Sequence, residues 1–240
     1  MDFTCIEAER RPSGVGILTL RRPEKLNALS IDMRNEISRC LAAWRDAEDV
    51  GAVVFTGAGR AFSAGFDLDE FRREERFEEL FESSARYHRD VWGFPKPTIA
   101  AVNGIAAGGG FDLATLCDLR ICSGEARFVH PELKHGAPPL FSPLAWIVGA
   151  GVARELCLTR RTVDAQEAHH LRLVSEVTAS GEVVARAEAL ARTILEAPPE
   201  AIRYTKACFS RSAGCDFEAA FGAEHDRPFR ELILRPGRWR

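Results

Sequence analysis

Ser63-Ala64-Gly65-Phe66-Asp67 and Asn103-Gly104-Ile105-Ala106-Ala107-Gly108-Gly109-Gly110 decide how this chain reads. The first follows the apolar run Val53-Val54-Phe55, the second follows Thr98-Ile99-Ala100-Ala101-Val102, and each leads into a helical pattern. A strand that ends in glycines and turns into a helix presents unpaired N–H groups at the positive end of a helix dipole. Two such ends aimed at one point would hold an oxygen that gains negative charge during a reaction. The pattern predicts an oxyanion site built from main chain.

Outward from these segments, strands and helices alternate. Val15 to Leu20 reads as a strand ending at Arg22-Pro23, and Ser30 can cap a helix with apolar positions Met33, Ile37, Leu41 and Trp44. Val53 to Gly57 has the continuous apolar character of a strand buried on both faces. A charged amphipathic helix is expected from Asp69 to about Val91, ended by Phe94-Pro95-Lys96-Pro97, and its run from Glu70 to Glu82 reads as a solvated face. Phe111 to Leu116 reads as a short buried helix and Leu119 to Cys122 as a strand. Asp164-Ala165-Gln166-Glu167 opens a helix ending near Leu171, and Leu173 to Val177 reads as the last strand. From Glu182 the pattern is helical, broken at Pro198-Pro199. This order predicts an α/β core over residues 1–180 and a helical segment over 181–240.

The bulk numbers exclude several classes. The 240 residues carry a net charge of -3 with 46% hydrophobic content, ordinary for a globular chain and unsuited to binding nucleic acid through phosphate contacts. No apolar run approaches the ~20 residues of a membrane span. The N-terminus lacks the basic-then-apolar order of a secretory signal. The seven cysteines are odd in number and form no Cys-x-x-Cys. They read as reduced thiols of a cytoplasmic protein, with no zinc-ligand spacing.

With Gly57, Ala61 to Leu68, Pro97 to Gly104 and Gly108-Gly109-Gly110 in order, the chain resembles the crotonase family. Arg22-Pro23 through Asn27-Ala28-Leu29, Phe128 through Pro131-Glu132, and Leu158-Thr159 with Leu173-Val174 extend the match from about residue 15 to 177. The resemblance implies a spiral of ββα turns with C-terminal helices that mediate trimerisation, as a homotrimer or a dimer of trimers. It implies binding of acyl-coenzyme A thioesters and stabilisation of an enolate-like anion, with no metal or redox cofactor and coenzyme A arriving as part of the substrate. Carried over by position, the backbone N–H groups of Phe66 and Gly109 would form the oxyanion hole. Ala28, Ala64, Asp67 and Leu68 would contact substrate or coenzyme A, and Lys25 would lie near the adenosine end, where an ammonium suits phosphate.

Asp112 and Glu132 fall where the family's hydratases carry two catalytic glutamates. Hydrating an α,β-unsaturated thioester needs one group to take a proton from water and one to protonate the α-carbon. Two carboxyls facing one cavity can divide those jobs, because proximity raises one pKa above the other. Aspartate is shorter than glutamate by about one C–C bond, ~1.5 Å, so Glu132 acting alone as a double-bond isomerase is the nearest alternative. His130, two residues before Glu132, can share a proton with it and motivates a reading as C–C cleavage or decarboxylation. The stretch from Gly136 to Pro143 replaces the family's glycines with three prolines and bulky groups, stiffening the wall beside the acyl chain. That wall and Asp112 also motivate a reading from another class, a non-catalytic acyl-coenzyme A scaffold. Hydration of a trans-2-enoyl-coenzyme A remains the leading expectation.

Overall fold

The computed structural model describes residues 2–209 and 216–234, so Cys215 and the last six positions of the chain lie outside the described residues. β1 (Ile6–Arg10) and β2 (Val15–Leu20) form an antiparallel pair, and α1 (Ile31–Arg45) follows. Ser30 caps α1 as expected, its hydroxyl accepting from the Met33 amide at 3.2 Å. Next come β3 (Ala52–Gly57), β4 (Ala61–Ser63), α2 (Phe77–Trp92), β5 (Thr98–Val102), β6 (Ile105–Ala107) and α3 (Gly109–Leu116). β7 (Leu119–Ser123), β8 (Arg127–Val129), α4 (Ser142–Val148), α5 (Ala150–Thr159), β9 (Val163–Asp164), α6 (Ala165–His170) and β10 (Val177–Thr178) complete the α/β part. Three helices close the chain: α7 (Val183–Leu195), α8 (Pro199–Phe209) and α9 (Phe217–Phe221), the last continued by wider turns to Ile233.

The larger sheet has the order β1-β2-β3-β5-β7-β10, parallel from β2 onward. Alternation along its strands divides the core. Val53, Phe55, Ala100 and Val102 face the main cluster, which contains Leu41, Trp44, Leu80 and Phe111. Ala52, Val54, Ile99 and Ala101 face the other way, onto Val183, Ala187 and Ala191 of α7. The continuous apolar character of β3 follows from this, since both faces are covered. α7 buries its apolar stripe within its own chain, whereas α8 has no buried residue and exposes Tyr204 and Phe209.

The smaller sheet runs β4-β6-β8-β9, and its first three strands are parallel. Ala61 pairs with Ile105 and Ala107 with Val129, so three short strands end side by side. Their carboxyl ends form the rim where parallel α/β sheets place ligands. Close packing there requires Gly110: a Cβ would stand 2.3 Å from the Ser63 carbonyl oxygen.

Two expected elements differ. The helix expected from Asp69 starts at Phe77, after single turns at Glu70–Arg72 and Glu74–Arg76. The cause is Glu70, whose carboxylate accepts from the Ile31 amide at 2.9 Å and lies 3.5 Å from the buried Arg34 guanidinium. Glu70 is therefore an internal fastener of the α1 N-terminus, not part of a solvated face. The last strand is Val177–Thr178 alone. Leu173 and Val174 instead donate to the Ala168 carbonyl at 2.8 and 3.3 Å, closing the end of α6.

Candidate active site

Phe66 follows β4 by three residues, Gly109 follows β6 by two, and His130 and Glu132 follow β8 by one and three. Adjacent parallel strands thus deliver all four to one rim. The turn after β4 depends on Gly65, held at φ +91°. A Cβ there would lie 2.7 Å from the Ala107 carbonyl oxygen and 3.1 Å from the Gly109 nitrogen, so the two turns touch. Leu29 donates its amide to the Gly65 carbonyl at 2.7 Å, and the Ser63 hydroxyl donates to the Asn27 carbonyl at 2.8 Å. Asn27 in turn accepts from the Arg22 amide at 2.9 Å and donates to the Ala58 and Ala61 carbonyls. The Arg22-Pro23…Asn27-Ala28-Leu29 motif is therefore a scaffold for the first turn.

Gly108, at φ +52°, donates its amide to the Val129 carbonyl at 3.0 Å and leaves Gly109 as the first residue of α3. Neither the Phe66 nor the Gly109 amide donates to a backbone or side-chain acceptor among the described residues. Phe66 and Gly109 line one cavity and both amides lack a protein acceptor, which is what an oxyanion hole would require. The cavity has a volume of about 140 Å³.

Asp112 and Glu132 line that cavity, and His130 Nδ1 lies near both carboxyls. Asp112 sits on the first turn of α3, and Glu132 opens a short turn that packs against Gly108. His130 Nδ1 lies 3.2 Å from Glu132 Oε1 and 3.9 Å from Asp112 Oδ1, with its ring stacked on Phe111 at 4.5 Å. Asp112 Oδ1, Glu132 Oε2 and His130 Nε2 are buried without protein partners. Burial pushes the Asp112 carboxyl well above the ordinary carboxylate range, with the nearby Glu132 and Glu224 charges adding to the effect and His130 opposing it. Burial pulls the His130 imidazole down, but the hydrogen bond to Glu132 and the two carboxylates win and leave it above its usual value. One ligand-type atom from each of Asp112, His130 and Glu132 lies within 4.8 Å of the others, a grouping able to offer ligands to a divalent cation. The sequence reading grouped these residues for proton transfer and did not read them as a ligand set.

Among the other expected contact residues, Ala64 and Leu68 line the cavity, and Leu68 is largely exposed at its mouth. Lys25, Ala28 and Asp67 do not line it. Lys25 lies on the surface with Nζ 3.2 Å from Asp69, the Ala28 carbonyl accepts from Arg22, and Asp67 pairs with Arg22 at 2.9 Å. Ala137, Pro138 and Leu140 form the expected proline-bearing wall. Sequence reading missed five lining residues: Phe71, inside the run read as a solvated face, His88 of α2, and Glu224, His225 and Phe229 after α9. Glu224 fastens the C-terminal segment to the site, accepting from the Phe141 and Ser142 amides at 2.9 and 2.8 Å. No motif marks these residues, because they meet across more than a hundred positions of chain.

The same architecture recurs among known proteins. Residues 10–231 match the model of the enoyl-CoA hydratase/isomerase family. A short-chain-enoyl-CoA hydratase of Clostridium acetobutylicum is 34% identical over 218 residues, which span 88% of this chain and 84% of that protein. A probable enoyl-CoA hydratase of Mycobacterium bovis is 37% identical over 219 residues, spanning 88% and 83%. The crystal structure of an enoyl-CoA hydratase/isomerase from Xanthobacter autotrophicus Py2 superposes with a TM-score of 0.86 at 33% identity, covering 97% of this chain and 87% of that one. Among the described residues, no helix is long and apolar enough to cross a membrane. Paired glycine turns on a ββα frame, matched over nearly the whole length, place this chain in the crotonase (enoyl-CoA hydratase/isomerase) family.

Proposed function

We propose that this chain hydrates a short trans-2-enoyl-coenzyme A. The observation that carries the reading is that two unpaired amides and two carboxyls share one cavity at the ends of three adjacent strands. The thioester carbonyl oxygen rests against the Phe66 and Gly109 N–H groups. Glu132 takes a proton from water as the water oxygen bonds to the β-carbon, and the double-bond electrons move toward the carbonyl, giving an enolate. The two amides hold the developing charge, a contribution typically worth ~10²–10³ in rate per donor. Asp112, which keeps its proton because it is buried, delivers it to the α-carbon. Resetting the site moves one proton from Glu132 to Asp112, and His130 Nδ1, 3.2 Å from the first and 3.9 Å from the second, can carry it.

Cavity size favours a short acyl group. A cavity of about 150 Å³ in another protein admits a benzene ring, and the volume here is about 140 Å³. The curated relatives include a short-chain-enoyl-CoA hydratase and a crotonyl-CoA hydratase, which supports the same choice. Roles for Lys25, Ala28 and Asp67 in holding coenzyme A belong to this proposal, as does a cytoplasmic setting. Assembly as a trimer or a dimer of trimers also belongs to it, supported by the exposed apolar side chains of α8. Light scattering that finds a monomer would refute that part.

Isomerisation through Glu132 alone is the second reading, favoured by the 3.9 Å gap that keeps Asp112 from bonding His130. Asp112→Asn separates the two. Hydration should fall by about 10² or more, whereas isomerisation of a 3-enoyl thioester should survive. In the wild type, hydration should decline as pH rises through the raised Asp112 pKa, because the proton donor is lost there. Mass spectrometry of the products, showing a gain of water or no change, reads both outcomes. Full hydration by Asp112→Asn would remove Asp112 from the mechanism.

A further inference from the structure

His88 lies in the cavity wall on α2 and is 1% exposed. Its Nδ1 stands 2.8 Å from the Ser84 carbonyl oxygen. A carbonyl only accepts, so Nδ1 carries the hydrogen and Nε2 is left with a lone pair. That Nε2 is buried without a partner. Burial, reinforced by the neighbouring His225, pushes the imidazole well below its usual pKa, so Nε2 does not fill the lone pair by protonation.

The surrounding donors are committed elsewhere. Arg89 donates to Asp226 at 2.6 Å, and Asp226 accepts from His225 Nδ1 at 2.9 Å. Burial raises the Asp226 carboxyl, but the hydrogen bonds from His225 and Arg89 outweigh it and hold the group at about 2, so it is an acceptor there. Burial also keeps His225 below its usual pKa, and its Nε2, 2.7 Å from Ser84 Oγ, therefore accepts the Ser84 hydroxyl hydrogen. Arg34 spends its donors on Leu29 and Ser83. Within this histidine cluster one lone pair is left without a partner, that of His88 Nε2, on a residue that lines the cavity beside Phe66, Phe71 and Phe229.

We propose that His88 Nε2 is an acceptor for a hydroxyl on the acyl group, so that the site prefers short acyl-coenzyme A thioesters hydroxylated beyond the reacting carbons. This rests on the acyl-coenzyme A reading above. An apolar acyl chain leaves the acceptor unpaired, and a site built to bond a substrate hydroxyl discriminates against the analogue lacking it.

The test compares hexanoyl-coenzyme A with its 4-, 5- and 6-hydroxy derivatives by calorimetry, and 2-hexenoyl-coenzyme A with the matching hydroxy-enoyl thioesters by turnover. At least one hydroxylated form should bind the full-length wild type about tenfold or more tighter than the plain thioester and show the same preference in kcat/KM. His88→Phe, which keeps ring volume and removes the acceptor, should bring that ratio to one or below, and His88→Gln, which restores an acceptor oxygen, should recover part of it. A wild-type ratio at or below one for every derivative overturns the proposal, because water or packing then satisfies Nε2. An unchanged preference in His88→Phe overturns it equally. Should His88→Phe fail to fold, the wild-type ratio and His88→Gln decide. The saturated pairs require no chemistry, so a failure of hydration and a failure of the subsite are read separately.

Discussion

Glu132→Gln is expected to lower kcat for hydration of a short 2-enoyl-coenzyme A by about 10²–10⁴, the usual range for a lost acid–base group, with KM nearly unchanged. Glutamine has the same length and keeps an oxygen for the His130 contact at 3.2 Å, so the cavity wall and the Gly108 packing persist. What disappears is an oxygen able to take a proton from water. The substitution has a second consequence through charge. Glu132 raises both the Asp112 carboxyl and the His130 imidazole, so its neutralisation lets Asp112 release its proton at lower pH and His130 likewise. The alkaline limb of the pH–rate profile should therefore shift toward lower pH in whatever activity remains. A profile reports the shared protons of the cluster, which is why the direction of the shift, not a residue-specific value, is the readout. A kcat within about threefold of wild type would remove Glu132 from the reaction, since such a loss is too small for a proton-transfer group.

Legibility in the sequence followed how local each feature's cause is. Gly65 and the Gly108-Gly109-Gly110 turn could be read because positive φ and close backbone approach leave only glycine. α1 could be read from its Ser30 cap and its three-and-four spacing, and β3 from an apolar run covered on both faces. The smaller sheet could not. Its strands β4, β6 and β8 are three residues long, too short for alternation to register, and they exist through pairing with one another. That sheet nonetheless brings Phe66, Gly109 and Glu132 to one rim; the glycine turns signalled the donors, while the frame aligning them was invisible. The same limit explains Glu70, whose inward carboxylate answers to Ile31 and Arg34 about forty positions away. It also explains His88 and His225, which meet through Ser84, itself 141 residues from His225. Asp112 and Glu132 were found by position within a motif, yet the raised pKa on which the role proposed for Asp112 depends arises from burial, which only the packed cavity supplies.

Gly65→Ala should be nearly as damaging to kcat as the loss of Glu132, although it changes no group that touches a proton. An alanine at φ +91° is strained, and its Cβ would press on the Ala107 carbonyl oxygen at 2.7 Å. That oxygen ends β6, one residue before the turn that presents Gly109, and Gly65 immediately precedes Phe66. The methyl group therefore acts as a wedge between the two halves of the proposed oxyanion hole, and neither neighbour is a flexible side chain able to swing away. Parting the amides costs about 10²–10³ in kcat for one donor lost, and a misplacement of ~1 Å is enough to produce a loss of that order. Phe66→Leu is the control: it alters the ring packing against Arg34 and Phe71 but keeps the amide, so it should change KM more than kcat. Thermal melting of both variants separates a misplaced amide from a weakened fold, and binding of a saturated thioester reports whether the cavity still closes around its ligand. A folded Gly65→Ala enzyme that binds the thioester and turns over at the wild-type rate would mean that the anion is stabilised by something other than these two amides, and the assignment of the whole site would have to be abandoned.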